Sequence, residues 1–363
     1  MTARCWLLAA GLLLAVPAFA QAPQVVQTPP DYPRLKVSGL FFGDLYYNLD
    51  GNPNHVYNAA GADAGKTYID TNSPITQDLS GMQLRRIYLQ VDNDFSARYT
   101  MRVRFETDGS ALTSNTKLAS FAKNFYLQAK SLYPRGDVFV GLIQTPTFEN
   151  SEAFWQYRSI EKTIADFHGI APSSDGGFAV KGYLDVNHVL GYWGEIGNGT
   201  GQRNENNRYK RAYLAIPVQW KDLHVEPYVD FESGTPGHEA ALYKVFGGYE
   251  FKRAALGAEW VDYVVHSVPP AVYGEQTGYS IFARGRLAST LNGFARLDYW
   301  DPNKRVANRV TNNLWIAGID WTPVKDVHIE PNLEGTQYHA KGTAVAPPYH
   351  DLQARLTVYV LFR

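Results

Sequence analysis

From residue 34 onward, apolar and polar residues alternate along the chain with a period of two. The clearest segment has an uncharged face and a face with four charges, formed by Tyr99, Met101, Val103 and Phe105 against Arg98, Thr100, Arg102, Arg104 and Glu106. Successive side chains of a β-strand point to opposite faces, so this pattern predicts strands with one apolar and one wet face. The last segment ends at Phe362 with the same alternation.

The pattern recurs in sixteen segments. They span residues 35–49, 81–94, 96–109, 119–133, 136–144, 176–184, 186–198, 208–220, 222–232, 241–251, 253–264, 276–288, 291–301, 310–322, 325–339 and 349–362. An even number of strands, each about 9 to 11 residues plus a short overhang, is typical of bacterial outer-membrane barrels. The sequence therefore predicts an all-β fold, a transmembrane antiparallel β-barrel of sixteen strands over residues 35–363.

The connections between these segments alternate in length. Tight connections include Asp185 and Lys221, whereas long connections include 50–80, 145–175 and 265–275. Barrels of this class have tight turns at the periplasmic end, where both termini also lie, and long loops at the other end. The connection 145–175, the third long one, carries about 30 residues with no strand pattern, a length that suits a loop folded into the barrel.

The first twenty residues have the three parts of a secretory signal peptide. Arg4 is the positive end, residues 6–16 are apolar, and Ala18 to Ala20 forms a small-residue cleavage site. Cleavage after Ala20 removes Cys5, the only cysteine, and leaves a proline-rich arm over 21–34 that we expect in the periplasm. The signal and the barrel pattern together predict the outer membrane of a Gram-negative bacterium as the location.

Composition and charge restrict the chemistry. The chain is 14% aromatic with a mean hydropathy of −0.29, as expected where only every second strand residue faces lipid. A net charge of −1 gives no long-range field that favours nucleic acid as a partner. The sequence contains neither a Gly-x-Ser-x-Gly elbow nor a His-Glu-x-x-His motif. We therefore predict no enzyme activity, no catalytic residues, no cofactor and no metal site.

Four segments resemble the phosphate-selective porin family, the sixteen-stranded porins known as porin O and porin P. They are the double-arginine strand at 84–89, the glycine-to-proline strand ending at 138–146, the stretch from 160–162 through 169–172 to 176–177, and the later segment at 318–323. The resemblance covers about 35–363. It implies a trimeric, water-filled channel narrowed by its third loop, with outer-membrane lipid and small hydrophilic solutes or inorganic anions as partners.

The charge of the third loop bears on selectivity. Residues 145–175 carry five acids against two bases, whereas a phosphate-selective constriction is expected to be strongly basic. The candidate constriction residues are Glu149, Glu152, Arg158, Glu161, Lys162 and Asp166. We expect the acids among them to face a wall carrying Arg86, Arg102 and Arg104, because like charges in a narrow pore are costly. Partly neutralised arginines predict modest anion preference and no saturable phosphate site.

The predicted inner faces of the strands carry both signs of charge. The candidate pore-lining residues are Arg86, Arg98, Arg102, Arg104, Arg284, Arg286, Arg296, Arg355 and Asp298. Two interpretations are open: paired salt bridges that brace the barrel wall, or a transverse field that aligns polar solutes at the constriction. The predicted function is a porin for passive diffusion of small solutes and ions. The alternatives are a surface-exposed binding or adhesion barrel and an outer-membrane barrel hydrolase.

Overall fold

A computed structural model of the chain describes residues 31–54, 75–112, 117–234, 239–267, 272–343 and 345–363. The predicted signal peptide and residues 21–30 of the predicted arm lie outside the described residues. Pro33–Arg363 forms one compact unit. Its strands are β1 (Arg34–Asp50), β2 (Ser80–Asp94), β3 (Tyr99–Leu112), β4 (Leu118–Tyr133), β5 (Gly136–Gln144), β6 (Ser174–Tyr183), β7 (Gly191–Gly197), β8 (Arg211–Ala215), β9 (Val218–Trp220), β10 (Leu223–Glu232), β11 (Glu239–Glu250), β12 (Ala254–Ser267), β13 (Val272–Ala288), β14 (Leu291–Asp301), β15 (Arg309–Val324), β16 (Val327–Lys341) and β17 (Asp351–Phe362). Its helices are α1 (Glu149–Trp155) and α2 (Ile164–Phe167).

The strands form one closed antiparallel sheet. Consecutive strands pair from β1 to β8 and from β9 to β17, and β1 pairs with β17 from Gly39 opposite Phe362 onward, which closes the barrel. Both β8 and β9 pair with β10, so they occupy a single position in the sheet. Because these two segments share one position, the barrel has the sixteen strands that the sequence predicts. Neither helix in the described part of the chain is long and apolar enough to cross a membrane.

The eighth strand was predicted as one segment, and that prediction is wrong in detail. It is interrupted at Ile216 and Pro217, because proline has no N–H to donate to the sheet. The neighbouring hydrogen bonds are still made. Ile216 donates its backbone N–H to the Pro227 carbonyl at 3.0 Å, and the Pro217 carbonyl accepts the Gly191 N–H at 2.7 Å.

The two ends of the barrel differ as predicted. We call the end with the short turns, where β1 begins and β17 ends, the turn end. The opposite end is the loop end. One turn is longer than predicted, since residues 184–190 separate β6 from β7 where the pattern placed a turn at Asp185 alone. The Asp185 carboxylate accepts the backbone N–H groups of Asn187, Val189 and Leu190 at 3.0, 3.1 and 2.7 Å, which fixes this longer turn. At the loop end, the connection predicted at 265–275 comprises only residues 268–271, because β12 and β13 extend further than predicted.

Side chains alternate between the outside and the lumen. In β1, Asp44 and Tyr46 are buried in the interior while Leu45 and Tyr47 are exposed outside. The exposed large apolar residues of other strands, such as Leu297, continue this outer surface. An apolar exterior around a partly polar interior is the inside-out arrangement that lipid requires.

Two of the β-bulges between neighbouring strands change which charged side chains reach the lumen. The register between β1 and β2 shifts at Phe42 and Gly43, which leaves Arg85 as an extra residue. A second shift between β3 and β4 leaves Lys123 extra. An extra residue in a bulge bends the strand and redirects its side chain. Arg85 and Lys123 both point into the lumen as a result. There Arg85 donates to the backbone carbonyl of Ser159 and Lys123 donates to the hydroxyl of Ser173.

Candidate functional site

The third loop, residues 145–173 between β5 and β6, folds into the lumen. Glu149 and Glu152 lie in the first turn of α1. Acidic side chains at the N-terminal end of a helix stabilise it. The helix ends at Trp155 and is followed by Gln156, whose φ of 66° is left-handed. The side chains of Trp155 and of Ile160, further along the loop, are fully buried. A loop with such side chains gains stability only by covering them, which directs it against the barrel interior.

The loop packs against one side of the barrel, which we call the apolar wall. This wall is the inner face of β11 to β15 and is formed by Leu242, Phe246, Val261, Phe282, Phe294, Trp300, Leu314 and Ile316. The ring centroids of Trp155 and Phe282 lie 5.3 Å apart, and those of Tyr157 and Phe294 lie 4.2 Å apart. Fully burying one large apolar side chain contributes about 1.5 to 3 kcal/mol. Several such side chains therefore hold the loop.

Two glycines on inner faces make room for the loop. A Cβ at Gly248 would lie 2.6 Å from the Phe154 ring, and a Cβ at Gly278 would lie 2.7 Å from Cδ1 of Ile164. Both distances are shorter than side chains tolerate. The packing of α1 and α2 on the apolar wall thus depends on these two glycines as well as on the apolar side chains of the wall.

Arginines of the barrel wall bind backbone carbonyls of the loop. Arg284 Nε donates to the Phe154 carbonyl at 3.0 Å, and Arg85 donates to the Ser159 carbonyl at 3.0 Å. Arg296 donates to the Lys162 carbonyl and Arg211 to that of Ile170. These carbonyls have lost water on entering the lumen, so the guanidinium groups satisfy acceptors that would otherwise be costly to bury.

The loop acids do not pair with the arginines that the sequence analysis assigned to them. Among the described residues, Glu161 pairs with Arg85 at 2.9 Å. Glu152 and Asp166 pair with Arg158 of the loop itself, at 2.9 and 3.2 Å. The acids Glu149, Glu152 and Asp166 share one cavity with Arg86 and Arg104, as expected of a facing wall, but their ion pairs are not made with Arg86, Arg102 or Arg104. The sequence could not show that Arg158, six residues beyond Glu152, folds back onto it.

Burial and ion pairing act in opposite directions on these loop carboxyls. Burial alone would raise the pKa of Asp166, but Arg158 and Lys162 lower it below its ordinary value. Burial likewise opposes ionisation of Glu161, and Arg85 reverses the effect and lowers the pKa. Both acids are thus held ionised by the cations around them, Asp166 by Arg158 of the loop and Glu161 by Arg85 of the barrel wall.

The inner face of β2 to β4 lies across the lumen from the apolar wall, and we call it the charged wall. Arg86 and Lys123 both reach Glu106 at 3.0 Å. Arg102 Nε lies 2.7 Å from Asp92. Arg104 differs, because its described partners are neutral: Gln90 Oε1 accepts from its Nε at 2.8 Å, and its guanidinium lies 5.1 Å from the centroid of the Tyr88 ring.

A cavity of about 260 Å³ separates the third loop from the charged wall, and we call it the loop cavity. Its lining carries as many cations as acids. The cations are Arg86, Arg104, Lys123, Arg158 and Lys162, and the acids are Glu106, Asp108, Glu149, Glu152 and Asp166. The predicted constriction residues other than Glu161 therefore line one space together with the charged wall. A larger space of about 440 Å³, the turn-end cavity, lies between the loop and the turn end.

The remaining predicted lumen residues are placed as follows. Arg98 is not on a strand, because β3 begins at Tyr99 and Arg98 lies exposed in the preceding turn. Arg284 and the exposed Arg286 line the turn-end cavity. Arg296 binds Asp298 with its Nε at 2.9 Å. Arg355 binds Asn332 at 2.9 Å and pairs with Glu334.

Arg85 and Lys123 are not among the lumen residues that the alternation predicts. Strict alternation puts Arg85 on the lipid side next to Arg86 on the lumen side. A lipid-facing arginine near the membrane centre costs about 2 to 4 kcal/mol. Two consecutive arginines in a membrane strand were therefore a readable sign that a bulge turns both inward.

No protein-family model matches the chain, and no curated protein sequence is similar to it. Solved structures share its fold. An anion-selective porin from Comamonas acidovorans has a TM-score of 0.62 and 12% identity, covering 91% of this chain and 100% of that one. The outer membrane channel DcaP of Acinetobacter baumannii has a TM-score of 0.61 and 12% identity, with 92% and 99% covered. OmpT of Vibrio cholerae, in its trimer form, has a TM-score of 0.59 and 12% identity, with 91% and 99% covered. These likenesses establish the fold, a closed sixteen-stranded antiparallel barrel.

Proposed function

We propose that the chain is an outer-membrane porin, a water-filled channel for passive diffusion of small hydrophilic solutes and ions. The observation that carries the proposal is the third loop, which packs on the apolar wall and leaves the polar loop cavity along the charged wall. A loop held in this way narrows a barrel without filling it. The fold shared with an anion-selective porin and an outer membrane channel supports the same function.

Modest anion preference without a phosphate site is the selectivity we propose. The loop cavity is lined by equal numbers of cations and acids, and Arg86 and Arg102 are paired with acids of the wall. Arg104, with neutral described partners, is the cation best placed to favour anions. Balanced charge lowers the barrier to small ions of either sign but gives no strong binding of a multivalent anion.

Recordings of the purified protein in planar bilayers test both parts. A channel should appear, its conductance should rise nearly linearly with KCl, and the reversal potential under a KCl gradient should show a small anion preference. Millimolar phosphate should not block it. Micromolar block by phosphate would overturn the selectivity and restore the phosphate-selective resemblance, and a barrel that folds but conducts nothing would overturn the porin.

An adhesion or binding barrel is the second candidate class. Its function would rest on the loop end, and it has no use for some 29 residues packed inside the lumen, as residues 145–173 are. We therefore favour the porin. Exchanging the third loop for a short turn separates the two, since conductance should change in a porin while surface binding would persist in an adhesin.

Homotrimeric assembly is a further part of the proposal. OmpT of Vibrio cholerae, an outer membrane protein of the same fold described in a trimer form, supports it. Gly39 of β1 offers no contact surface for it, because a Cβ at Gly39 would lie 2.4 Å from the Phe362 ring of the same chain. That ring covers Gly39 and keeps another barrel from it. Unheated protein in mild detergent should migrate as a trimer on a gel, and a species of monomer size alone would contradict the assembly.

A further inference from the structure

Three potential metal ligands meet on one hairpin near the turn end. Asp320 lies on β15, and His328 and Glu330 lie on β16 just beyond the turn that joins the two strands. His328 Nδ1 lies 2.9 Å from Asp320 Oδ1. One ligand atom from each of the three side chains lies within 4.8 Å of the other two. Within the described part of the chain this is the one such group.

Neither carboxylate forms an ion pair with an arginine or lysine among the described residues, and the imidazole of His328 is the basic group beside Asp320. Glu334, four residues further along β16, pairs with Arg355. Glu330 is only 1% exposed, and its Oε2 has no hydrogen-bond partner of ordinary geometry in the described structure, although the neutral Ser159 hydroxyl interacts with this carboxyl. A buried carboxylate oxygen without a partner is costly, and a bound cation is one way to satisfy it.

Other buried acids do not combine these features. Glu195 and Glu259 also have carboxylate oxygens without a hydrogen-bond partner among the described residues. Neither of them belongs to a group with a histidine. The hairpin is thus distinguished by two nearby carboxylates and an imidazole together, not by an unpaired acid alone.

The group is open to solvent ions. Asp320, His328 and Glu330 all line the turn-end cavity of about 440 Å³, together with Tyr157 of the third loop and Tyr359 of β17. A space of this size supplies water molecules as further ligands. An ion could therefore enter from the turn end without any rearrangement of the barrel.

We propose that Asp320, His328 and Glu330 form a binding site for a divalent transition-metal ion, with Zn²⁺ as the ion that fits best. One imidazole nitrogen and two carboxylate oxygens are a ligand set that Zn²⁺ accepts, at about 2.0 to 2.2 Å each, with water at the fourth position. Ca²⁺ takes six to eight oxygen ligands, and Mg²⁺ keeps most of its water. The imidazole therefore selects against both. Closing from 4.8 Å to zinc geometry needs only small side-chain movements.

Calorimetric titration of Zn²⁺ into the full-length, folded barrel in chelator-free detergent tests the site. We expect one Zn²⁺ per chain, with far weaker binding of Mg²⁺ and Ca²⁺. His328→Gln and Glu330→Gln should each weaken Zn²⁺ binding at least about tenfold, as losses in metal coordination shells do. His339→Gln is the matched control, because His339 lies on the same strand at the loop end and is exposed.

The folded state of each variant is checked by the shift in gel mobility on heating. His328 is only partly buried, so His328→Gln keeps the test valid if Glu330→Gln fails to fold. Absence of Zn²⁺ binding, or binding that survives His328→Gln, would overturn the proposal. Binding lost in His339→Gln alone would also overturn it and would point to the pair of His339 and His350, whose rings lie 6.4 Å apart.

Discussion

The two sides of the barrel interior follow different rules. On the apolar wall, residues such as Phe246 and Phe282 face inward and are covered by the third loop, so their side chains are buried. On the charged wall, Arg86 faces the loop cavity, and Arg86 and Arg102 are held by Glu106 and Asp92 of neighbouring strands. A loop inside a barrel is therefore positioned by the wall it packs against. The opposite wall keeps the polar character that a solute meets.

A charge placed on each wall should give the largest contrast. Phe282→Arg puts a cation among Phe154, Trp155 and Phe246, and it should cost more than the about 3 to 5 kcal/mol of removing a buried phenylalanine. We expect the third loop to leave the wall. Protease cleavage within residues 145–173 of the folded barrel and an increased single-channel conductance would report this.

Gln128→Arg on the charged wall is the matched control. Gln128 Nε2 donates to Asp137 at 2.8 Å, so an arginine there finds a carboxylate in place. The loop should stay protected and the conductance should change little. Similar behaviour of the two variants would break the distinction between the walls.

The outer face of the charged wall provides a second contrast. Val103 faces outward on β3, so Val103→Arg places a charge in lipid and should cost about 2 to 4 kcal/mol in the free energy of unfolding. Gln128→Arg on the neighbouring strand should cost far less because it faces the lumen. Urea titrations of the protein folded in lipid vesicles measure both. Equal midpoints would mean that the assigned faces are wrong.

Much of the barrel was predictable because strand patterning is local. The fifth strand was predicted at 136–144 and is observed at Gly136–Gln144. The misses occur where one side chain overrides the pattern. Asp185 organises a seven-residue turn through its carboxylate, and Pro217 breaks a strand by lacking an N–H. A period of two carries no information on such hydrogen bonds.

Less of the candidate site was predictable. The entry of the third loop into the lumen was expected from its length and from the family resemblance, but the apolar wall was not, because a polar lumen was assumed on every strand. The sign was present at Leu314, Trp315 and Ile316, which are apolar on both faces of β15. A strand that is apolar on both faces is covered on both. The contacts of Arg85 with the loop depend on a β-bulge. The pairing between β1 and β2 determines that bulge, and the pattern along one strand does not show it.

The consecutive arginines of β2 separate loop anchoring from wall bracing. Arg85→Gln removes contacts to the Ser159 carbonyl and to Glu161, and a hydrogen bond to a charged group contributes about 1.5 to 3 kcal/mol. We expect a looser loop, seen as more current noise and faster protease cleavage. Arg86→Gln should leave the loop in place, since Arg86 pairs with Glu106 on β3. Loosening by both variants alike would contradict separate roles.

The smallest expected effect is a pH dependence of selectivity that arises at Glu152. Burial of Glu152 between the loop and the charged wall raises its pKa to about 7, although the adjacent Arg158 opposes the shift. A carboxyl with a raised pKa is neutral below that value, so the loop cavity loses one negative charge as the pH falls from about 8 to about 6. Arg104 and Lys123 on the opposite wall are then less neutralised. Reversal potentials under a KCl gradient should shift towards anions over this range.

Glu152→Gln should show the anion-shifted value at both pH values, whereas Glu149→Gln should keep the step. A step that persists in Glu152→Gln would assign the titration to another group and remove the loop from the control of selectivity.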